Sequence, residues 1–367
     1  MSAVLPVGSK ILVGMSGGVD SSVAAALLIE QGYQVVGGFI KNWSDSKDLW
    51  TGECQWKAER RDALRVAAKL GISLLTFDFE EEYRARVLDR MFREYQAGRT
   101  PNPDILCNQE IKFGLFYEAA MRAGFDGVAT GHYAQSVRDA NGVHLAKAVD
   151  AQKDQTYFLQ RMSREALQKT LFPIGGFEKA DVRVLAEELG LSVARKPDSQ
   201  GICFVGKLDF HEFLRKRLPP VPGPILDEEG STIGRHDGID AYTIGQRHGL
   251  HVSVGQRAWY VAQKDRARNA LVMVPEADHP LLFRREIVIE EMHWLETSAE
   301  EAEVIEGEVM IRYRQRAVPA RLERIRDGMY RGVLAEPVWA PAAGQSAAVY
   351  QGGYCLGGGI LAEDTLR

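Results

Sequence analysis

Two features of this chain have the residue types and spacing to do chemistry: the run GMSGGVDSS, Gly14 to Ser22, and a sparse set of cysteines. The glycines allow tight turning, and a helix beginning at Val19 would direct its first N–H groups at an anion. Ser16, Ser21 and Ser22 add hydroxyl donors. The lysine of a GxxxxGK[ST] loop is absent, and so is the GxGxxG of a dinucleotide site. Asp20 would repel a bare phosphate but suits a polyphosphate that Mg²⁺ bridges to the carboxylate.

The four cysteines, Cys54, Cys107, Cys203 and Cys355, contain no CxxC pair. That usage points to a reducing compartment, the cytoplasm, and against a permanent disulfide. Cys107 lies in the turn-rich GRTPNPDILCN, 98 to 108, next to a helix start that would favour a thiolate. Cys203 sits in DSQGICFVG between a polar turn and an apolar run, a loop position in this reading. Burial explains either cysteine alone; two loop cysteines on a chain with a phosphate-cradling turn suggest a catalytic pair. Cys355, in YCLGGGIL, reads as a buried strand residue, and Cys54 falls in the long polar stretch KNWSDSKDLWTGECQW with no role assigned. His132 either orients a catalytic group or is an ordinary hydrogen-bonded histidine. The eight histidines show no ligand spacing, so no metal centre is expected.

The elements that must position these residues alternate over the first 130 positions. ILVG, QVVGGFI, SLLTFDF and DGVAT read as buried strands. Between them run helical stripes: Val19, Val23, Ala26 and Leu27; Ala63, Val66, Ala67 and Leu70; Tyr83, Val87, Met91 and Tyr95; then Leu115, Ala119 and Ala120. Another, Val182, Leu185, Ala186 and Leu189, ends at Gly190. Strands without polar alternation, separated by helices, predict a parallel sheet covered on both faces, with ligands at the loops after the strands. The prolines of HEFLRKRLPPVPGPI mark a boundary near 210, followed by short strands and glycine turns. From about 283, REIVIEEMHWL, EVIEGEVMIRYRQ, GVLAEPVWA and QSAAVYQGGYCLGGGIL predict an all-β unit, a small barrel. The expected division is 1–210, 211–280 and 281–367.

Length agrees, since 367 residues exceed one small core. The first residues lack the basic start and long apolar core of a leader, and no run suits a membrane span. A net charge of −5 argues against a generic nucleic-acid binder but not against a local basic face. Seven arginines from Arg312 to Arg331, against Glu323 and Asp327, are either such a face or plain solvated surface.

SGGVDS resembles the pyrophosphate loop (PP-loop) of the ATP pyrophosphatases, the adenine nucleotide α-hydrolase-like class that adenylates a substrate oxygen. The resemblance implies that Gly14, Met15, Ser16, Gly17, Gly18, Val19, Asp20 and Ser21 hold the phosphates of ATP with Mg²⁺. Three readings follow: sulfur transfer, amidation with ammonia as in other members, or nucleotide-gated RNA binding without catalysis. The amidating members need a glutaminase unit, which the β-rich second half does not resemble.

Further strings decide among them. KNW at 41 to 43, AGRTPNPDILCNQEIKF, ATGHY, KDQTYFL, DSQGICFVG, YTIGQRHGL, RYRQ from Arg312 and GQSAAVYQGGYCLGGGI occur in one order over nearly the full length. Together they resemble the bacterial tRNA-specific 2-thiouridylase family. That resemblance implies a PP-loop α/β domain, a small mainly β central domain and a C-terminal β-barrel-like domain. It implies ATP-dependent 2-thiolation of the wobble uridine in tRNAs for Lys, Glu and Gln, with no permanent cofactor. Cys203 then carries sulfur as a persulfide. Cys107 releases that sulfur to the base or resolves the persulfide through a transient Cys107–Cys203 disulfide. Asn102, Pro103 and Asp104 touch the target base, with Asp104 acting as acid/base or only orienting. Ile40 and Gly131 are backbone positions around ATP. Lys153, Asp154, Gln155, Arg312 and Tyr313 are tRNA contacts. The implied partners are tRNA and either a persulfide relay protein or a cysteine desulfurase, for an enzyme that is monomeric, cytoplasmic and free of membrane.

Overall fold

The structure, a computed structural model, describes residues 4–44, 54–198, 210–250, 252 and 258–363. Cys203 and the rest of 199–209 lie outside the described residues.

Seven strands lie in the first 171 residues: β1 (Lys10–Gly14), β2 (Gln34–Lys41), β3 (Leu74–Asp78), β4 (Gly127–Thr130), β5 (Gln135–Asp139), β6 (Gly142–Ala146) and β7 (Thr170–Leu171). Five of them form a parallel sheet in the order β3-β2-β1-β4-β7. The four strands expected from the apolar runs are all present. Ile11, Leu12 and Val13 are wholly buried in β1, as are Val128 and Ala129 in β4, which is why neither strand alternates with polar residues. Helix α1 (Val19–Glu30) buries nine of its twelve residues, while α2 (Gln55–Leu70) buries only Ala63, Val66 and Ala67 and ends at a left-handed Gly71.

Two stripes differ from expectation. In the helix that runs through 108–122, Phe113, Phe116, Tyr117 and Ala120 are buried, whereas Leu115 and Ala119 are only partly covered. Residues Asn108–Phe116 are wound as a π-helix, which adds a residue per turn and rotates the buried face. In the helix Lys179–Glu188, Val182 and Ala186 face the core, but Leu189 lies beyond its end and is 39% exposed.

The middle sheet contains β8 (Gly223–Leu226), β9 (Thr232–His236), β10 (Tyr260–Asp265) and β11 (Ala270–Val274), in the order β10-β11-β8-β9. Six strands then close into a barrel: β12 (Phe283–Trp294), β13 (Val304–Met310), β14 (Val318–Arg326), β15 (Met329–Trp339), β16 (Ser346–Gln351) and β17 (Tyr354–Leu361). Pairing of β17 with β12 completes the ring, leaving no open edge between them. Cys355 is wholly buried in β17, and burial pushes its thiol up to about 12.

The β5–β6 hairpin, which the sequence did not reveal, leaves the N-terminal unit and adds to the barrel through β6–β17 pairing. His144 fastens it, with Nε2 2.8 Å from Asp139 and Nδ1 2.8 Å from Glu296. Burial alone would lower the His144 pKa, but the two carboxylates outweigh it and raise it. The clasp therefore contributes its full stability below the unfolded value of about 6.5 and loses it as pH rises through the raised folded value. Proton NMR of His144 is expected to show that higher midpoint, absent in His144→Gln, with faster hydrogen exchange in β5–β6 above it. A midpoint at or below the ordinary histidine value would contradict this.

Candidate active site

The glycine run occupies the turn between β1 and α1, at the carboxyl edge of the sheet where open α/β folds bind ligands. Met15 N–H donates to Gly38 O at 2.8 Å, and Gly17 adopts φ +72°, so the chain can reverse into the helix. Ser16 N–H donates to Ser21 Oγ at 3.2 Å, and Ser22 Oγ donates to Gly18 O at 2.7 Å. Gly18 is the N-cap and no side chain caps the helix, which leaves its first turn suited to phosphate oxygens.

Two glycines let neighbours close on this turn. A Cβ on Gly17 would lie 2.2 Å from Glu59 O of α2. One on Gly131, just past β4, would lie 2.5 Å from Ser21 N and 2.6 Å from Asp20 C. Ile40 is buried in β2, one strand away.

A charged network, missed by sequence reasoning, covers the loop. Lys179 Nζ sits 2.7 and 2.9 Å from the two oxygens of Asp20 and 2.8 Å from Asp198 Oδ1. Tyr133 OH donates to Asp20 at 3.0 Å. Burial and the Asp20 charge raise that phenol's pKa. Lys153 and Arg183 also reach Asp198, at 3.0 and 2.8 Å. Burial would raise the Asp198 carboxyl, but its lysine partners bring it down to about 2. Lys196 Nζ binds Gly17 O at 2.9 Å and Asp62 at 2.7 Å. Lysines from three segments thus surround the loop, where they can offset the charge of a polyphosphate and of departing pyrophosphate. Both Asp20 oxygens are thus engaged by Lys179, and one also by Tyr133, where the sequence suggested a carboxylate facing Mg²⁺. Tyr133 and Asp198 belong to ATGHY and DSQGICFVG, so the signal was motif membership; nothing local connects them with Lys179.

Cys107 is not in a loop. It ends the helix Pro103–Cys107, continuous with the turns that follow, and is wholly buried. Asn102 accounts for the difference: its side chain accepts from Asp104 N at 3.1 Å and Ile105 N at 3.3 Å, while Pro103 fills the first helical position. The cap starts the helix earlier than the turn-forming residues suggested. Asp104, in its first turn, is half-buried. The same helical run passes over the sheet edge: Phe116 packs against Gly14, and Lys112 Nζ is 3.4 Å from His132 Nε2. His132 is buried, with Nδ1 2.8 Å from Thr130 Oγ1, and desolvation with Lys112 nearby lowers its pKa well below the ordinary range. It is a neutral, packed histidine. Cys54 stands at the N-cap position of α2, but its thiol donates instead to Ser44 O at 3.0 Å.

The remaining candidates are spread over the junction with the barrel. Asp154 accepts from Ala148 N and Thr156 Oγ1, and Gln155 accepts from Tyr133 N, so both side chains serve internal bonds. Arg312 donates to Ile244 O and Ala340 O at 2.8 and 2.9 Å, joining the middle unit to the barrel. Tyr313 is half-buried with its ring 4.5 Å from Phe158. The arginine run contains β14, with Val318, Ala320 and Leu322 inward; Arg321 pairs with Glu306 and Glu323, and Arg331 with Glu286. Those pairs neutralise two of the seven arginines, and Arg324 adds longer contacts to Glu303 and Asp327, each at 3.9 Å.

Sheet order, phosphate turn and lysine surround define a nucleotide-activating domain of the ATP pyrophosphatase class. Family models match as tRNA methyl transferase HUP domain over 9–207, tRNA methyl transferase PRC-barrel domain over 211–275 and aminomethyltransferase beta-barrel domain over 284–361. A tRNA-specific 2-thiouridylase MnmA of Haemophilus influenzae (strain PittGG) is 46% identical over 359 residues, 96% of this chain and 93% of that protein. That of Methylobacillus flagellatus is 47% identical over 357 residues, 96% of this chain and 98% of its own. The chain belongs to the bacterial tRNA-specific 2-thiouridylase family. Among solved structures, an NMN synthetase from Francisella tularensis is 18% identical with TM-score 0.34, over 56% of this chain and 72% of that one. Among the described residues, no helix is long and apolar enough to cross a membrane.

Proposed function

We propose that this protein thiolates C2 of the wobble uridine in tRNAs for Lys, Glu and Gln. The observation that carries this reading is 46–47% identity to 2-thiouridylases across 96% of the chain. The phosphate turn supports it over the methyl transfer named in two family models, since methylation needs no pyrophosphate-releasing site. Uridine O2 attacks the α-phosphorus of ATP, and pyrophosphate leaves. The O2-adenylated base is electrophilic at C2, and sulfur displaces AMP. The sulfur begins as the terminal atom of a persulfide on Cys203. Cys107 thiolate attacks the inner sulfur, the terminal sulfur departs with the bond electrons toward C2, and a Cys107–Cys203 disulfide remains for a thiol reductant. Direct transfer and release as pocket-held hydrosulfide both satisfy this balance.

Gly14 to Ser21, with Ile40 and Gly131, hold ATP and Mg²⁺; Asn102, Pro103 and Asp104 meet the base, Asp104 as acid/base or orienting group. Lys153, Asp154, Gln155, Arg312 and Tyr313 mark segments that meet tRNA. Residues 1–210 supply catalysis, while 211–280 and 281–367 brace the tRNA. An anticodon base is already unpaired, so extruding it costs less than flipping from a duplex. The enzyme works as a cytoplasmic monomer, loaded by a relay protein or directly by a cysteine desulfurase. Wild-type protein and Cys203→Ser, given only a protein persulfide donor and no free sulfide, test the assignment. Only wild type should acquire the persulfide and thiolate tRNA; equal thiolation by both would remove Cys203 from its role.

A further inference from the structure

The helix containing Cys107 is preceded by a short strap, residues 96–100, that both other units grip. Lys264 on β10 and Arg266 just past its end reach into the N-terminal unit: Lys264 Nζ donates to Gly98 O at 3.1 Å, and Arg266 Nη2 donates to Gln96 O at 2.8 Å. These carbonyls stand at and just beyond the C-terminus of the helix Asp89–Gln96, where cations complement the helix dipole. From the barrel side, Thr100 N–H donates to Ala343 O, Gln345 Nε2 donates to Thr100 O, each at 2.8 Å, and Arg99 pairs with Glu290 at 2.6 Å. Two residues later, Asn102 caps the helix of Asp104 and Cys107.

Lys264 is an unusual choice for an interdomain wedge. Burial of its ammonium is costly, as seen in a pKa lowered to about 8, and an apolar side chain would avoid that cost. The charge does have a specific use, since its bond ends on a backbone carbonyl of the strap. Gly98 adopts φ +80°, and a Cβ there would lie 2.1 Å from Arg266 Nη1, so the strap and Arg266 fit at backbone distance.

We propose that Lys264 and Arg266 are positioning residues for the thiolation: by holding the Gly98 and Gln96 carbonyls, the middle unit sets the placement of Asn102, Asp104 and Cys107. The role rests on the functional reading above. A tRNA that engages the middle unit and barrel thereby acts on the catalytic helix through the strap. Neither residue touches a reacting group.

The test uses full-length Lys264→Met, Arg266→Ala, Arg266→Lys and Gly98→Ala, assayed for kcat, ATP KM, tRNA Kd and melting temperature. Lys264→Met and Arg266→Ala are expected to lower kcat about tenfold, the scale of a modest misplacement of reacting groups, with ATP KM and tRNA Kd within about twofold. Arg266→Lys should recover most of kcat, and Gly98→Ala, which displaces Arg266 from the other side, should reproduce the defect. Full kcat in Arg266→Ala, or losses that follow melting temperature and are not recovered by Arg266→Lys, would overturn the proposal. If Lys264→Met fails to fold, the Arg266 and Gly98 variants decide the outcome. Absence of thiolation by wild type would instead defeat the functional reading.

Discussion

Cys107→Ser is expected to abolish 2-thiouridine formation, by a factor of at least about 10³, while leaving the fold intact. Sulfur transfer from a persulfide needs a thiolate, and a serine hydroxyl neither ionises near neutral pH nor forms the resolving disulfide. The structural cost is small because the replacement is nearly isosteric. Cys107 is wholly buried in a helix, where a serine hydroxyl can bond to the carbonyl four residues earlier, offsetting its desolvation. Stability should change by no more than about 1–2 kcal/mol. The variant should still accept sulfur on Cys203, so loading without product is its signature. Complete burial also implies slow alkylation of Cys107 in the tRNA-free protein, measurable by peptide mass analysis. Product at wild-type rate from Cys107→Ser would remove this residue from the chemistry.

The second large effect is expected at Gly131. An alanine Cβ would fall 2.5 Å from Ser21 N and 2.8 Å from Ser21 Cα, backbone atoms of the first turn of α1. These atoms cannot rotate aside as a flexible side chain would, so either β4 or α1 must move. Overpacking of this kind costs about 1–3 kcal/mol, and here it falls on the N–H groups proposed to hold the phosphates. ATP affinity should drop about 10–100-fold, consistent with losing one or two charge-assisted hydrogen bonds. Gly176→Ala is the matched comparison, because a Cβ there meets nothing within 4 Å. Calorimetry of ATP binding separates the two; equal affinity in both variants would contradict the packing argument.

How legible this was in the sequence depended on the range of the interactions. Buried strands such as Ile11–Val13 are continuous apolar runs, and the phosphate turn is a local string, so both could be read directly. The barrel was legible where strands alternate with glycine turns, but β14 was hidden in the arginine run because its charged residues point outward from a closed ring. The cap that puts Cys107 in a helix was written in Asn102 and Pro103, yet the surrounding turn formers outweighed it. Tertiary pairing was beyond reach. Lys179 bonds Asp20 across 159 positions, and β6 finds β17 only in the assembled barrel. No periodicity encodes such partners. The same limit applies to the strap at 96–100, whose neighbours come from β10, β12 and the turn before β16.

The most direct measurement is mass analysis of nucleosides from tRNA incubated with purified protein, ATP, Mg²⁺ and a persulfide donor, with AMP and pyrophosphate counted in parallel. Wobble 2-thiouridine should accumulate with one AMP and one pyrophosphate per thiolation, only when tRNA is present, and vanish with Cys107→Ser or Cys203→Ser. A methylated or aminated nucleoside instead, or thiolation without pyrophosphate release, would contradict ATP-driven sulfur transfer.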